Sequence, residues 1–287
     1  MSAIFKRELR SYFTGYIGYI FAALLLLFEG IYVVIINLLS GYASFEFSLE
    51  NITVIFLLIV PIITMRSIAE EKRSRTDQLL YSLPIKTSSI VLGKYFALLC
   101  VLLIPTLIIG LYPIILNFFG NVNMLNAYAC LLAFFLLASA LIAICMFTSS
   151  LSESQIIAAV LGFGALMVFY LAPTIAAMIP PTAVASLVGF AAVIVIVALI
   201  AYNMTKSTAV SLAFGIILAI PTVLLFIFKR TLFEGLFPAL VEKLAIFEGY
   251  MLFTYGIFDI STIIYYISIS AFFIFLTVQA MEKKRWC

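Results

Sequence analysis

Runs of about 20 apolar residues recur along this chain, each long enough to cross a hydrocarbon layer roughly 30 Å thick. The first extends from Ile17 to Leu39 with Glu29 as its one charge, and others follow at 51–69, 89–118, 125–148, 155–179, 184–202, 208–228 and 260–281. Together they predict an all-α fold, a polytopic transmembrane helical bundle of about eight spans. The short segments of alternating polarity that mark a membrane β-barrel do not occur. Composition agrees, because 16 Lys+Arg and 13 Asp+Glu among 287 residues cannot cover a soluble domain of this length. Lys6, Arg7 and Arg10 precede the first run in the manner of a signal peptide. That run is too long for an h-region and ends without a small-residue cleavage site, so it is expected to stay as the first span.

The basic residues orient the bundle. With the N-terminus inside, the cytoplasmic segments hold Lys6, Arg7, Arg10, Arg66, Lys72, Arg73, Arg75, Lys86, Lys94, Lys206, Lys283, Lys284 and Arg285. Only Lys229, Arg230 and Lys243 are left for the outside. Both termini are therefore expected in the cytoplasm, with an even number of spans between them. Pro105 and Pro113 in the long third run predict a kink or break near one of them.

Three stretches are neither span nor simple turn. Residues 3–13, AIFKRELRSYF, predict an amphipathic helix lying on the inner membrane surface, with Ile4, Phe5, Leu9, Tyr12 and Phe13 on one face and Lys6, Arg7, Arg10 and Ser11 on the other. Glu8 alone falls on the apolar face, and it is expected to pair with a basic residue of the 66–75 cluster, because an unpaired carboxylate is costly at that depth. The second stretch is the loop at 70–86. Arg66–Glu70 and Glu71–Arg75 at i,i+4 and Glu70–Arg73 at i,i+3 would carry the second helix past the membrane as a stiff stalk. Thr76 then suits an N-cap, and Pro84 stops a short helix that shows Leu79, Leu80 and Leu83. Such an end is either a rigid knob for a cytoplasmic partner or a loop whose leucines lie back on the membrane. The third stretch, 231–253, alternates apolar and polar pairs in a four-residue period, which fits an interfacial or re-entrant helix on the outside or a surface helix packed on the spans.

No enzyme signature is present. Histidine is absent, and Cys100, Cys130, Cys145 and Cys287 lie too far apart for a zinc or disulfide framework, so no metal site is expected. A phosphate-cradling loop around Gly93-Lys94 would need Gly at position 88 and Ser or Thr at 95, where Ser88 and Tyr95 stand. Any nucleotide-driven work must come from another chain. Glu29, placed mid-span, is either a residue of a translocation path or a hydrogen-bonded packing group. A secondary transporter relying on Glu29, or a membrane anchor for a cytoplasmic ATPase, are the alternatives to ATP-driven transport.

The segments FKRELRSYFTGYIGYIF, SIAEEKRSRTDQLLYSLPIKTSSIVLGKY, SSLSESQIIAAVLGF and the C-terminal FEGYMLFTYGIFDISTIIYYISISAFFIFLTVQAMEKKRW resemble, in that order, the permease subunits of type-2 ATP-binding-cassette (ABC) exporters, particularly the gliding-motility-like branch. That family usually has six spans, and 184–228 would add two. The resemblance implies a single permease domain over 1–287 in the plasma (inner) membrane, an efflux function and an amphipathic or lipid-like substrate. It implies a dimer, with a second permease copy or paralogue, and a cytoplasmic ABC ATPase subunit that holds the ATP and Mg. No cofactor is expected in this chain, and membrane lipids rather than nucleic acid are its other partners. By the same resemblance, 3–13 is the elbow helix, 76–83 the coupling helix, and 229–258 the outer-leaflet segment. Arg75, Thr76, Leu79, Leu80, Leu83 and Pro84 would then touch the ATPase, and Ser152, Glu153 and Gln155 would form a second cytoplasmic contact. Spans one, two and five would line a path between two permeases, with Ala158 and Gly162 allowing close helix contact.

Overall fold

The computed structural model describes residues 1–76, 86–205, 215–222, 226, 228 and 230–286, and among them every regular element is helical. In chain order these are α1 (Ser2–Thr14), α2 (Ile17–Tyr32, continued as a π-helix over Val33–Leu39), α3 (Glu46–Thr53), α4 (Phe56–Arg73), α5 (Thr87–Ile109), α6 (Tyr112–Leu116), α7 (Met124–Leu151), α8 (Gln155–Met178), α9 (Ala183–Thr205), α10 (Leu236–Glu242), α11 (Glu248–Thr254) and α12 (Ile260–Trp286). They fall into two compact units, Met1–Val168 with Ile246–Cys287, and Phe169–Ala245.

The first unit is built around α7. Of its most apolar stretch 72 % is buried, against 22 % for Ile17–Leu39, so α7 is the central helix and α2 a peripheral one. A helix that is apolar on every side suits such a position. Ala133, Ala138, Ala140 and Ala143 are buried along it, and their small side chains let α4 and α12 pack closely. The Phe134 ring sits 4.7 Å from that of Phe56 on α4.

Five helical segments among the described residues are long and apolar enough to span a membrane: Ile17–Leu39, Thr87–Leu116, Met124–Leu151, Gln155–Met178 and Ile260–Lys283. The pair α3–α4, bent by 57°, makes a sixth when taken as one broken span. The second span therefore differs from the continuous 51–69 expected. Residues 46–53 form their own helix, consistent with polar Glu46, Glu50 and Asn51, whose burial in hydrocarbon would be costly, and the helix that follows runs on to Arg73. The third span breaks at Gly110–Leu111, just before Pro113, whereas α5 continues through Pro105. Proline is well tolerated in a first helical turn, so Pro113 restarts the helix as α6. The expected sixth span corresponds to α9, and most of the expected seventh, 208–228, lies outside the described residues.

Residues 231–253 do not form one amphipathic helix. In the second unit a 3-10 turn, Arg230–Phe233, is followed by Gly235 at φ 73° and then α10. A left-handed residue ends the four-residue period, and glycine adopts it without strain. Phe237 of α10 lies on Gly189 of α9, where an added Cβ would collide with its ring. The remaining residues, 248–254, belong to the first unit as α11.

The first unit has two chemically distinct ends. At one lie α1, the last turns of α4, the start of α5 and the α7–α8 turn; the groove shared by Ser88 and Glu282 places the end of α12 there too. At the other lie α3, α6, α11 and the start of α12. There Asp259 caps α12, accepting from the Ser261 and Thr262 amides at 3.1 Å each and from the Thr262 hydroxyl at 2.7 Å. The Thr262 hydroxyl, with those amides, holds the Asp259 carboxyl below the usual carboxylate range.

Candidate functional site

At the end that carries α1, four charged side chains from three helices close into one ionic node. Lys94 of α5 is 1 % exposed and reaches Glu8 of α1 at 3.2 Å, Glu71 of α4 at 3.0 Å and the Ser67 carbonyl at 2.8 Å. The ammonium donates hydrogen bonds to Glu8 and to the Ser67 carbonyl, and pairs with Glu71 by charge. Arg7 closes the square from the other side, 2.7 Å from both Glu8 and Glu71. Burial alone would lower the Arg7 guanidinium, but Glu8 and Glu71 outweigh it and hold the group above its ordinary value. The node borders a cleft of about 340 Å³ that also takes in Tyr12, Arg66, Glu70 and Thr76.

Local sequence builds this node. Gly93 lets α1 lie directly on α5, since an added Cβ would meet Ile4 at 3.1 Å. The next residue, Lys94, meets the carboxylate that α1 carries on its apolar face. Gly93-Lys94, which fails as a phosphate loop, thus forms the seat of α1. Glu8 is therefore held by Lys94 and Arg7 instead of by a base of the 66–75 cluster, and that cluster contributes an acid, Glu71. The i,i+4 pairing expected of Glu71 with Arg75 is displaced for the same reason. Arg75 lies beyond the helix with φ at 56°, while Arg66 does bond Glu70.

The far side of the stalk is held by the α7–α8 turn. Lys72, buried, donates to the Ser150 carbonyl. The Ser149 hydroxyl accepts from the Ala69 amide and donates to the Met65 carbonyl, both at 3.2 Å. Ser152 closes α7 in extended backbone and bonds Ser154, Glu153 is exposed, and Gln155 opens α8. Ser149→Ala removes only the hydroxyl and is expected to cost about 1 kcal/mol in thermal stability in mild detergent. A loss no larger than the scatter between preparations would mean that this bridge does not hold the stalk.

Arg73 is the exposed last residue of α4, and Thr76 bonds back to the Glu71 carbonyl at 3.0 Å. Leu79, Leu80, Leu83 and Pro84 lie outside the described residues. Glu29 is 0 % exposed inside the first unit and accepts from the Ser48 hydroxyl at 3.3 Å. Leu27, Ile31 and Val34 form the exposed face of that span. Gly162 packs within the same chain, where an added Cβ would meet Thr148 and Cys145 of α7 and Pro61 of α4.

Sequence reasoning counted Lys94, Lys72 and Arg7 as orienting charges and missed their partners. The available signal was a lysine two turns inside an apolar helix with no acid at i±4, which demands a partner from elsewhere.

Comparison with known proteins adds the family. No curated protein and no solved structure matches the chain. A family model described as ABC-2 family transporter protein matches residues 36–228, more than half of the chain, from the end of the first span to the described residues before Arg230. With its all-helical, multi-pass body around that match, the chain belongs to the ABC-2 transporter family, as a membrane permease component of an ABC transporter.

Proposed function

We propose that this chain is the permease subunit of a type-2 ABC exporter, moved by a separate cytoplasmic ATPase that carries the ATP and Mg. The observation behind it is the grip on the charged end of α4. Helix α1 holds it through Arg7, α5 through Lys94, and α7 through Ser149 and Ser150. A helix clamped on three sides transmits displacement as a lever. Immediately beyond the clamp Arg75 ends the helix with φ at 56°, and the sequence continues into the segment that carries Leu79, Leu80 and Leu83.

On this reading the node lies at the cytoplasmic face of the plasma membrane, as the basic residues favour, and both termini are cytoplasmic. The loop over 76–84 is the principal seat of the ATPase, with Arg75, Thr76 and Pro84 shaping it. Ser152, Glu153 and Gln155 form the second contact, joined to the stalk by Ser149 and Lys72. Two permeases, identical or paralogous, enclose a path for an amphipathic substrate. ATP closes the ATPase pair, the loops are drawn together, and α4 re-aims the spans. The gliding-motility-like branch is supported by the quoted segments alone.

The test is capture of an ABC ATPase subunit by the purified chain, followed by the triple substitution Leu79→Asp, Leu80→Asp, Leu83→Asp. Charging a buried apolar contact is expected to lower captured ATPase at least about tenfold. Unchanged capture together with unchanged ATPase activity would refute the coupling assignment.

A further inference from the structure

The end of the first unit away from the ionic node holds a cleft of about 920 Å³. Its polar floor is Glu46, at the first turn of α3 and only 4 % exposed, with one carboxylate oxygen accepting from the Asn126 side chain at 2.9 Å. Thr254 also lines the cleft. Its hydroxyl is buried, the residue being 6 % exposed, and has no hydrogen-bond partner. Tyr128, Tyr255 and Phe258 stand exposed around it. From this floor Leu125 and Leu132, both exposed, continue the lining along α7.

Charge at this end has one sign. Segments 40–53, 111–132 and 246–260 carry Glu46, Glu50, Glu248 and Asp259 and contain no Lys or Arg. The Glu46 carboxylate is thus buried with the neutral Asn126 amide as its hydrogen-bond donor, in a cleft that also holds a partnerless hydroxyl and three exposed aromatic residues. A carboxylate so placed attracts a cation, and aromatic faces bind ammonium groups by cation–π attraction.

We propose that this cleft binds an amphiphile with a cationic ammonium head, the head held by Glu46, Thr254 and the Tyr128, Tyr255 and Phe258 rings, and the apolar tail lying along Leu125 and Leu132. It depends on the permease reading only in taking that amphiphile as cargo.

The measurement is equilibrium binding of tritiated dodecylammonium, whose N–H groups can donate to Thr254, to the full chain in dodecyl maltoside micelles, with tritiated dodecanol as the uncharged comparison. The expected result is one saturable site for the ammonium probe and none for dodecanol. Glu46→Gln should weaken it about 10- to 30-fold, and Tyr255→Leu, at an exposed position, about threefold. Glu50→Gln, which removes a charge outside the cleft lining, should leave binding within about twofold. Competition by short-chain phosphatidylethanolamine or phosphatidylcholine would identify the bilayer as the source of the amphiphile, and no competition a free one; either supports the site. Equal affinity in Glu46→Gln and Tyr255→Leu, saturable dodecanol binding, or stronger competition by phosphatidylglycerol overturns it. No ATPase takes part, so failure here and failure of ATPase capture are separate results.

Discussion

Replacing Lys94 by Met is expected to lower stability by about 3–5 kcal/mol, the largest loss for any single substitution in the node. The loss follows from what the ammonium leaves behind. Glu8 and Glu71 would face each other with Arg7 as their only shared cation, and the Ser67 carbonyl would lose its donor. Both carboxylates are largely buried, with side-chain exposures of 13 % and 15 %, so water would offset little of the repulsion. Because Lys94 ties α1 to α4 through α5, detachment of α1 should accompany the loss, visible as faster tryptic cleavage after Lys6, Arg7 and Arg10. Adding Glu8→Gln to Lys94→Met restores charge balance to what remains, an Arg7–Glu71 pair. That double variant should recover roughly half of the loss in thermal unfolding. A double variant no more stable than Lys94→Met would mean that the ion pairs do not hold the node together.

The same cluster marks how far the sequence could be read. Long apolar runs made the membrane class and the helical fold plain, since only helices or closed barrels satisfy the backbone in lipid. The amphipathic pattern of 3–13 located α1, and the i,i+4 spacing of Arg66 and Glu70 continued α4 beyond the apolar stretch. What periodicity does not encode is which distant charge meets which. Glu8 was legible as a carboxylate that needs a cation, but Lys94 lies 86 positions away. Only the packing of α1 against Gly93 brings the two together. Ser149 was hidden for a related reason: a hydroxyl near a helix end commonly bonds its own helix, and nothing local indicates that it reaches Met65 instead. The bend of 57° ahead of α4 was masked by the near-continuous apolar character of 52–63, and the break in 231–253 by a regular pattern that Gly235 interrupts through its backbone alone.

The two ends of the first unit differ in chemistry, and on the proposed function the helices between them would convert motion at one into shape at the other. α4 has to shift at its charged end without unzipping from α7 and α8. Gly162 of α8 lies against Pro61 of α4 and against Thr148 and Cys145 of α7, which makes this glycine a sharp probe of that requirement. An added Cβ would stand 3.3 Å from the Thr148 hydroxyl and 3.4 Å from both the Cys145 sulfur and the Pro61 ring. Those distances are tight but passable for one carbon, and alanine also gains up to about 1 kcal/mol over glycine within a helix. Gly162→Ala should therefore be close to neutral in thermal stability. Gly162→Leu has no such room, because the rest of the side chain must enter the seam between α4 and α7. Overpacking of this kind costs about 3 kcal/mol, relieved only if α8 is driven outward. The ionic node that ties the end of α4 to α1 and α5 involves none of the residues at that wedge, so ATPase capture should survive while the stimulation of ATPase activity by substrate is lost. Capture and stimulation falling together would point to general unfolding, and a leucine variant as stable and as responsive as the alanine one would show that α8 does not need to stay seated for coupling.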